Sequence, residues 1–180
     1  EEVSASSSPT TIRQADGIIL PGVGAFGSAM DELKKRRLNQ VLYEEAKAGK
    51  PLLGICLGMQ LLFDESDEFG VHEGLHLIPG RVEAFPKDID LLVPQMGWNQ
   101  NVVNNEQSIF ADVLDGSYTY FVHSYYAKCD QQYVVSYTNY GVKVPSCVEF
   151  RNVYGMQFHP EKSGEKGLEM LERFIERVDE

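Results

Sequence analysis

A cysteine between two glycines, directly after a short apolar run, constrains this chain more than any other feature. Pro51–Ile55 is apolar and short enough to be a buried strand, and residues 57–63 have helical periodicity. Gly54-Ile55-Cys56-Leu57-Gly58 therefore lies at a strand-to-helix turn and has the layout of a nucleophile elbow. A turn this sharp needs small flanking residues, because neighbouring backbone passes close to it.

The position of Cys56 suits a thiol nucleophile. The N-terminal end of the following helix favours the thiolate, and the backbone N–H of Leu57 points towards the atom that the sulfur attacks. For this motif alone, a buried structural cysteine is an equally tenable interpretation, because free cysteines are commonly buried.

A second strand–turn–helix unit precedes this one. Gly17–Leu20 reads as a buried strand and Pro21–Gly27 as a glycine-rich turn. Ser28 is expected to cap a helical region that continues to about Ala48 and ends at Gly49. Two such units in tandem predict an α/β fold with a mostly parallel central sheet flanked by helices.

The rest of the chain predicts additions to that core. Short β-branched or aromatic runs separated by turn residues fill 75–154 and predict appended antiparallel strands. Residues 164–178 form an amphipathic pattern typical of a closing helix. The first dozen residues predict a loop or a frayed strand near Val3–Ala5. We find no repeat or linker, so residues 1–180 are expected to form a single domain.

His159 and Glu161 provide a candidate base and the carboxylate that orients it. They follow an apolar run that reads as a strand ending at Phe158, and Pro160 between them favours extended backbone. A carboxylate on one imidazole nitrogen fixes the tautomer and leaves the other nitrogen for the thiol. Alone, the motif reads better as a surface turn; beside the Cys56 elbow, the catalytic interpretation is favoured.

Charge and cysteine content exclude several classes of function. Sixteen basic and 27 acidic residues give a net charge of −11, which argues against nucleic-acid binding and anionic membrane surfaces. Three widely spaced cysteines make a poor disulfide framework. No C-x-x-C pair is present, His72 and His76 are assigned no role, and no metal is predicted. A cytoplasmic protein is expected.

The elbow Gly54–Gln60, together with His159-Pro160-Glu161, resembles the class I glutamine amidotransferases, which have a flavodoxin-like fold. Within that family, the chain resembles the glutaminase subunits of imidazole glycerol phosphate synthases. This closer resemblance depends on four stretches and extends over nearly the whole chain from about Ala15: Leu20–Gly27, Pro94–Asn99, Tyr120–Tyr125 and Phe158–Gly164.

The resemblance implies a role for each matching residue. Cys56 attacks the side-chain amide of glutamine, His159 transfers the proton and Glu161 orients His159. The remaining implied roles are an oxyanion hole from Leu57, Val23 and Gly24, glutamine binding by Gly22, Gln60, Glu68, Ser124 and Tyr125, and a partner interface at Trp98, Asn99 and Lys162. In this family the second oxyanion donor is thought to need a peptide rearrangement, which glycines permit.

The resemblance also implies no cofactor and one partner, a (β/α)8 cyclase barrel that receives ammonia through a tunnel. For several of these residues, an interpretation without a functional role stays open. Trp98 is also compatible with a place in the core, Gln60 with the surface, and Glu68 with a solvated acidic run. For His123, a structural role is expected.

The chain departs from the family pattern before Leu20, where members usually have a strand, a glycine-rich turn and a helix. Only a short polar stretch is present there, so the usual first β–α unit is expected to be lacking, exposing a sheet edge. Two other functions stay open: another class I amidotransferase subunit or γ-glutamyl hydrolase, and a catalytically silent assembly subunit.

Overall fold

The structure is a computed structural model that describes residues 2–180. The helices are α1 (Pro9–Gln14), α2 (Phe26–Lys35), α3 (Leu38–Lys47), α4 (Leu57–Gln60), α5 (Ala111–Leu114) and α6 (Gly164–Val178). Short 3₁₀ helices occur at Gln131–Tyr133 and Pro160–Lys162. The strands are β1 (Ile18–Leu20), β2 (Leu52–Ile55), β3 (Glu65–Ser66), β4 (His72–Glu73), β5 (Arg81–Ala84), β6 (Gln95–Gln100), β7 (Val102–Val103), β8 (Tyr118–His123), β9 (Tyr125–Lys128), β10 (Val134–Asn139), β11 (Lys143–Phe150) and β12 (Val153–Met156).

Across residues 2–180 the largest sheet has the strand order β1-β2-β12-β11-β10-β7. Strand β2 is parallel to both of its neighbours, β1 and β12. The pairs that involve β10 and β11 with their sheet neighbours are antiparallel. The prediction of an α/β fold with added antiparallel strands is therefore confirmed, and the sheet is mixed, with its parallel part at β1, β2 and β12.

Strand β2 is buried on both faces because a separate hydrophobic core packs on each. Leu52 belongs to a core with Phe26 of α2, whereas Leu53 belongs to one with Phe174 of α6. Successive side chains of a strand point to opposite faces, so the continuous apolar run in β2 matches this double burial. The packing fixes the strand end from which Cys56 projects.

Two smaller sheets complete the fold. One has the order β4-β3-β5-β9, and the other pairs β6 with β8 in an antiparallel register that places Trp98 opposite Tyr120. The antiparallel strands predicted within 75–154 are present in these sheets and at the far side of the main sheet. Strand β1 forms one edge of the main sheet, and Ile19 on it is 40% exposed.

Several predicted boundaries are wrong. The single helix expected from Ser28 to Ala48 is two helices, because Arg37 adopts a left-handed backbone with φ +61°. The first of them begins at Phe26 without a side-chain cap from Ser28, and Glu68 instead accepts the Phe26 N–H at 2.7 Å. The N-terminal stretch contains the helix α1 rather than only a loop or frayed strand.

Within residues 2–180, no helix combines the length and the apolar character needed to cross a membrane.

Candidate active site

The turn after β2 holds Cys56 in a strained conformation. Its backbone angles are φ +56° and ψ −112°, and its N–H donates to the Met156 carbonyl at 2.7 Å. A Cβ added to Gly58 would lie 1.8 Å from the Leu20 carbonyl oxygen, and one added to Gly54 would lie 2.5 Å from the Gly58 carbonyl oxygen. The two glycines are therefore required by close backbone approach, as the elbow pattern predicts.

His159 lies just after β12, the parallel neighbour of β2. Its N–H donates to the Tyr120 carbonyl at 2.9 Å, and Ser163 Oγ donates to its carbonyl at 2.6 Å. Its Nδ1 lies 2.6 Å from Glu161 Oε1, and the imidazole is 8% exposed. Glu161 occupies the 3₁₀ turn Pro160–Lys162 rather than extended backbone, so the predicted local conformation is wrong although the two side chains meet.

Cys56 and His159 line one cavity of about 260 Å³. The other lining residues are Val23, Gly24, Leu57, Gln60, Glu68, Val122, His123, Ser124 and Tyr125. All three predicted oxyanion residues and four of the five predicted glutamine-binding residues thus meet at this cavity. The exception is Gly22, which is not among the lining residues.

The thiol of Cys56 is protonated at neutral pH in this state. Burial raises its pKa to about 11, although the Leu57 backbone N–H acts in the opposite direction. The sulfur lies 3.9 Å from the Val122 carbonyl oxygen, which can accept the thiol proton, and 4.0 Å from Gln157 Nε2. A nucleophilic sulfur in this cavity therefore needs a base to take its proton.

The predicted oxyanion donor is occupied in this state. The Leu57 N–H donates to the Gly22 carbonyl at 3.3 Å, so the expectation that this amide already faces the attacked atom is wrong for the present conformation. Val23 and Gly24 line the cavity next to this contact, and Gly24 has φ +104°. A rotation of the Gly22–Val23 peptide would remove the carbonyl from Leu57 and turn the Val23 N–H towards the same place.

The predicted glutamine-binding side chains have defined partners. Gln60 Nε2 donates to the Tyr125 carbonyl at 3.0 Å and to Gln157 Oε1 at 3.1 Å. Glu68 is neither fully solvated nor isolated, because its carboxylate holds the first N–H of α2 while it lines the cavity. Gln60 is buried. The alternative interpretations, a surface position for Gln60 and a solvated acidic run for Glu68, are therefore wrong.

Two further buried polar residues lie at the site: Gln157, which was assigned no role from the sequence, and His123, which was expected to be structural. Gln157 is fully buried beside Cys56. Its position two residues before His159 was the available signal, because side chains two apart share a side of an extended chain. His123 lines the cavity with Nδ1 2.7 Å from the Tyr125 carbonyl and Nε2 2.9 Å from the Gln95 amide. Burial lowers the pKa of His123 to about 4, so this ring is neutral at pH 7.

The residues predicted to face a partner lie outside the cavity. Trp98 is 52% exposed, which excludes a core position. Its ring makes an edge-on contact with Tyr120, with 6.0 Å between the ring centroids. Asn99 is half-buried and Lys162 is exposed. In the described part of the chain, no group of three His, Cys, Asp or Glu side chains is placed to hold a metal ion.

Comparison with known proteins matches residues 2–178 to the family model "Glutamine amidotransferase class-I". The imidazole glycerol phosphate synthase subunit HisH of Lactiplantibacillus plantarum is 56% identical over 173 residues, which is 96% of this chain and 83% of that protein. The subunit HisH of Listeria monocytogenes EGD-e is 52% identical, covering 95% of this chain and 82% of its own length.

Solved structures with low sequence identity share the fold. A crystal structure of a glutamine amidotransferase superposes with a TM-score of 0.75 at 16% identity, covering 100% of this chain and 88% of that one. A GMP synthase-like protein from Thermoplasma acidophilum superposes with a TM-score of 0.65 at 19% identity, covering 95% of this chain and 76% of that one.

Proposed function

Because the chain belongs to the class I glutamine amidotransferases, we propose that it is the glutaminase subunit of an imidazole glycerol phosphate synthase in histidine biosynthesis. The reaction is hydrolysis of glutamine to glutamate and ammonia. The relatives named as that subunit match nearly the full length of this chain. The observation that carries the proposal is the elbow cysteine, which shares a cavity with a histidine held 2.6 Å from a carboxylate.

In the proposed reaction, Cys56 Sγ attacks the carbonyl carbon of the glutamine side-chain amide while His159 Nε2 takes the thiol proton. The tetrahedral intermediate collapses as His159 returns that proton to the leaving nitrogen, which departs as ammonia and leaves a thioester on Cys56. Water then attacks the thioester with His159 as base, releasing glutamate and the thiol. Glu161 fixes the ring tautomer and stabilises the imidazolium in both halves.

Oxyanion stabilisation requires a change at the turn after β1. We propose that the Gly22–Val23 peptide rotates when substrate is bound, so that the Leu57 and Val23 N–H groups both face the developing oxyanion. The carbonyl that now occupies Leu57 supports this step, because it must leave before that amide can bind substrate. Gly24, with φ +104°, provides backbone freedom beside the rotating peptide.

The cavity has acceptors for one end of free glutamine, its α-ammonium group. Glu68 and the side-chain oxygen of Gln60 are acceptors for the α-ammonium group, and the backbone of Ser124 and Tyr125 lines the same cavity. The predicted contribution of Gly22 is then indirect, through its peptide rather than through the cavity wall.

The proposed partner is a (β/α)8 cyclase subunit that receives the ammonia and forms imidazole glycerol phosphate and aminoimidazole carboxamide ribotide. The exposed Trp98, with Asn99 and Lys162, is proposed to contact it in a heterodimer. The complex is proposed to act in the cytoplasm, without a cofactor.

The deciding experiment measures glutamate release from glutamine by the full chain, with and without a cyclase barrel carrying its nucleotide ligand. Strong stimulation by the loaded barrel supports both the chemistry and the partner. If the barrel has no effect, labelling with a glutamine-analogue electrophile separates the alternatives: a labelled Cys56 retains a glutaminase with another partner, and an unlabelled one favours a silent subunit.

The first expected outcome concerns the nucleophile itself. Cys56→Ala abolishes glutamate release, because no other group in the cavity can form the thioester. Cys129→Ala is the matched control, since Cys129 lies outside this cavity, and it retains activity. Full activity in Cys56→Ala would contradict the mechanism.

A further inference from the structure

The carbonyl of Tyr125 dictates the orientation of two buried side-chain amides. Gln60 presents a terminal atom 3.0 Å from this carbonyl, and a carbonyl only accepts, so that atom is the Gln60 NH₂ group. The same nitrogen lies 3.1 Å from the Gln157 amide, which must therefore present its oxygen there. The remaining end of that amide, its NH₂ group, lies 4.0 Å from Cys56 Sγ. The donor and acceptor ends of both amides are thus fixed, from the Tyr125 carbonyl through Gln60 and Gln157 to the sulfur of Cys56. We call this direction the polarity of the amide pair.

This polarity determines what Gln60 offers to a bound molecule. Both N–H bonds of its amide are used, one by Tyr125 and one by Gln157. Among residues 2–180, no donor hydrogen-bonds to Gln60 Oε1, and Gln60 lines the cavity. A rotated Gln60 amide would oppose its oxygen to two acceptors, so the contact with Gln157 keeps Oε1 available to an ammonium group.

Gln157 has no solvent contact, and both ends of its amide are directed at groups of the site. Its side chain is 0% exposed, and its backbone N–H is used separately by the Ser146 carbonyl at 2.9 Å. A buried amide is costly unless it is hydrogen-bonded, and an N–H directed at sulfur interacts more strongly with a thiolate than with a thiol.

We propose that Gln157 is a positioning residue for glutamine hydrolysis that does two things at once. Its oxygen holds Gln60 with the amide oxygen available to the substrate ammonium, and its N–H stabilises the sulfur of Cys56 as negative charge forms there. This proposal rests on the proposed glutaminase function, but its first test does not require turnover.

The first test measures the rate of Cys56 alkylation by iodoacetamide at pH 8, followed by mass spectrometry of the Cys56 peptide. Gln157→Glu and Gln157→Met both remove the N–H donor, so the thiolate fraction falls and the alkylation rate falls about tenfold with it. Gln107→Glu, an exposed substitution of the same charge, leaves the rate unchanged. An unchanged rate in the folded Gln157 variants overturns the proposed role at the sulfur.

The second test separates kcat from KM in the complex with the cyclase barrel. Gln157→Glu keeps an acceptor for Gln60, so kcat falls about tenfold or more while KM stays within about threefold. Gln157→Met removes that acceptor as well, so KM also rises about tenfold. Equal changes in KM for both variants would show a merely structural role and overturn the proposal.

Two controls keep the outcomes distinguishable. Circular dichroism and the melting temperature establish that each variant is folded, and Gln157→Met, which buries no charge, carries the tests if Gln157→Glu does not fold. A wild-type complex without glutaminase activity would sink the proposed function alone, because the alkylation rates would still decide whether Gln157 acts on Cys56.

Discussion

At the scale of single residues, the site depends on a side chain that the surrounding backbone forces into an unfavourable state. Cys56 has φ +56°, a region that costs a non-glycine residue about 1–3 kcal/mol, and its thiol has a pKa raised to about 11 by burial. Strain directs the sulfur into the cavity, and burial keeps it protonated until a base acts. The base is thus as necessary to the proposed chemistry as the nucleophile.

Glu161 provides the most direct test of how that base is supported. Glu161→Gln retains an acceptor 2.6 Å from His159 Nδ1 but loses the charge that stabilises the imidazolium. We expect kcat for glutamine hydrolysis to fall by about tenfold to a thousandfold, less than in Cys56→Ala, because Glu161 orients and does not transfer the proton. Steady-state kinetics with the loaded cyclase barrel measures this.

The exposed Glu165 is a suitable control for Glu161, because Glu165→Gln removes the same charge on the next helix, α6. It should leave kcat unchanged. If Glu161→Gln matched wild type as closely as the control does, the orienting role would be wrong.

The sequence was sufficient to predict that Cys56, His159 and Glu161 come together, because each stands in a local pattern with chemical meaning. It was insufficient for Gln157 and for the Gly22 carbonyl on Leu57. Those contacts depend on how distant backbone segments meet, and no local pattern encodes which acceptor occupies an amide. The positions of Val23 and Gly24 at the cavity, and the need for a peptide there to rearrange, were expected from the resemblance, whereas the contact between the Gly22 carbonyl and the Leu57 N–H was not.

At the scale of elements, the elbow depends on the approach of β1 to α4. A methyl group at residue 58 would overlap the Leu20 carbonyl oxygen, which belongs to backbone that cannot rotate away. We expect Gly58→Ala to lower the free energy of unfolding by about 3 kcal/mol or more, or to prevent folding. Urea denaturation measures the change.

Gly49→Ala is the matched comparison for Gly58→Ala. Gly49 has φ +105° but nothing within 4 Å of an added Cβ, so only backbone strain of about 1 kcal/mol is expected. Equal destabilisation by the two substitutions would mean that the close approach of β1 and α4 does not constrain residue 58.

His76, which follows β4, lies between the carboxylates of Asp64 and Glu73. His76 Nδ1 lies 2.9 Å from Asp64 and Nε2 lies 2.5 Å from Glu73, and these hydrogen bonds, that to Asp64 first, raise its pKa. Because the folded pKa is raised, the stabilisation is fully present below the unfolded pKa of about 6.5 and is lost as pH rises through the folded value.

His76→Gln should therefore lower the melting temperature more at about pH 5.5 than at about pH 9. The effect is small because the pair is exposed and screened by solvent. Gln107→Asn is the control, since Gln107 is exposed and does not titrate, and its effect should be the same at both pH values. A pH-independent difference for His76→Gln would contradict the assignment.

Element boundaries show where sequence patterns fail in physical terms. One helix was expected from Ser28 to Ala48, yet Arg37 turns left-handed between two helices that both contribute buried apolar residues to the same core. Side-chain capping was assigned to Ser28, whereas the Phe26 N–H is capped by Glu68, which lies 42 residues from Phe26 along the chain. Periodicity locates helices, but their ends are set by tertiary contacts.

At the scale of the whole molecule, the nucleophile and the proposed partner surface belong to different sheets that meet at one place. Cys56 projects from the main sheet, whereas Trp98 lies on β6, whose neighbour β8 runs from the surface to His123 in the cavity wall. The His159 N–H also bonds to the Tyr120 carbonyl on β8, and the Trp98 ring contacts the Tyr120 side chain. The small sheet therefore connects the proposed interface directly to the base.

Trp98 is the residue through which we expect this surface to bind the cyclase barrel. Met96 and Trp98, two residues apart on β6, are 63% and 52% exposed and together present apolar surface on an acidic protein. Because the Tyr120 contact already restrains the indole, little side-chain entropy is lost when a partner covers it.

Trp98→Ala should weaken the affinity for the barrel by about 30-fold, which corresponds to about 2 kcal/mol for a buried aromatic anchor. Isothermal titration calorimetry measures the affinity, with Tyr43→Ala as the control, because Tyr43 is a 41% exposed aromatic residue on α3. Since Trp98 touches β8 and not the cavity, the variant complex at saturating barrel should recover most of its glutaminase rate, and wild-type affinity in Trp98→Ala would remove this residue from the interface.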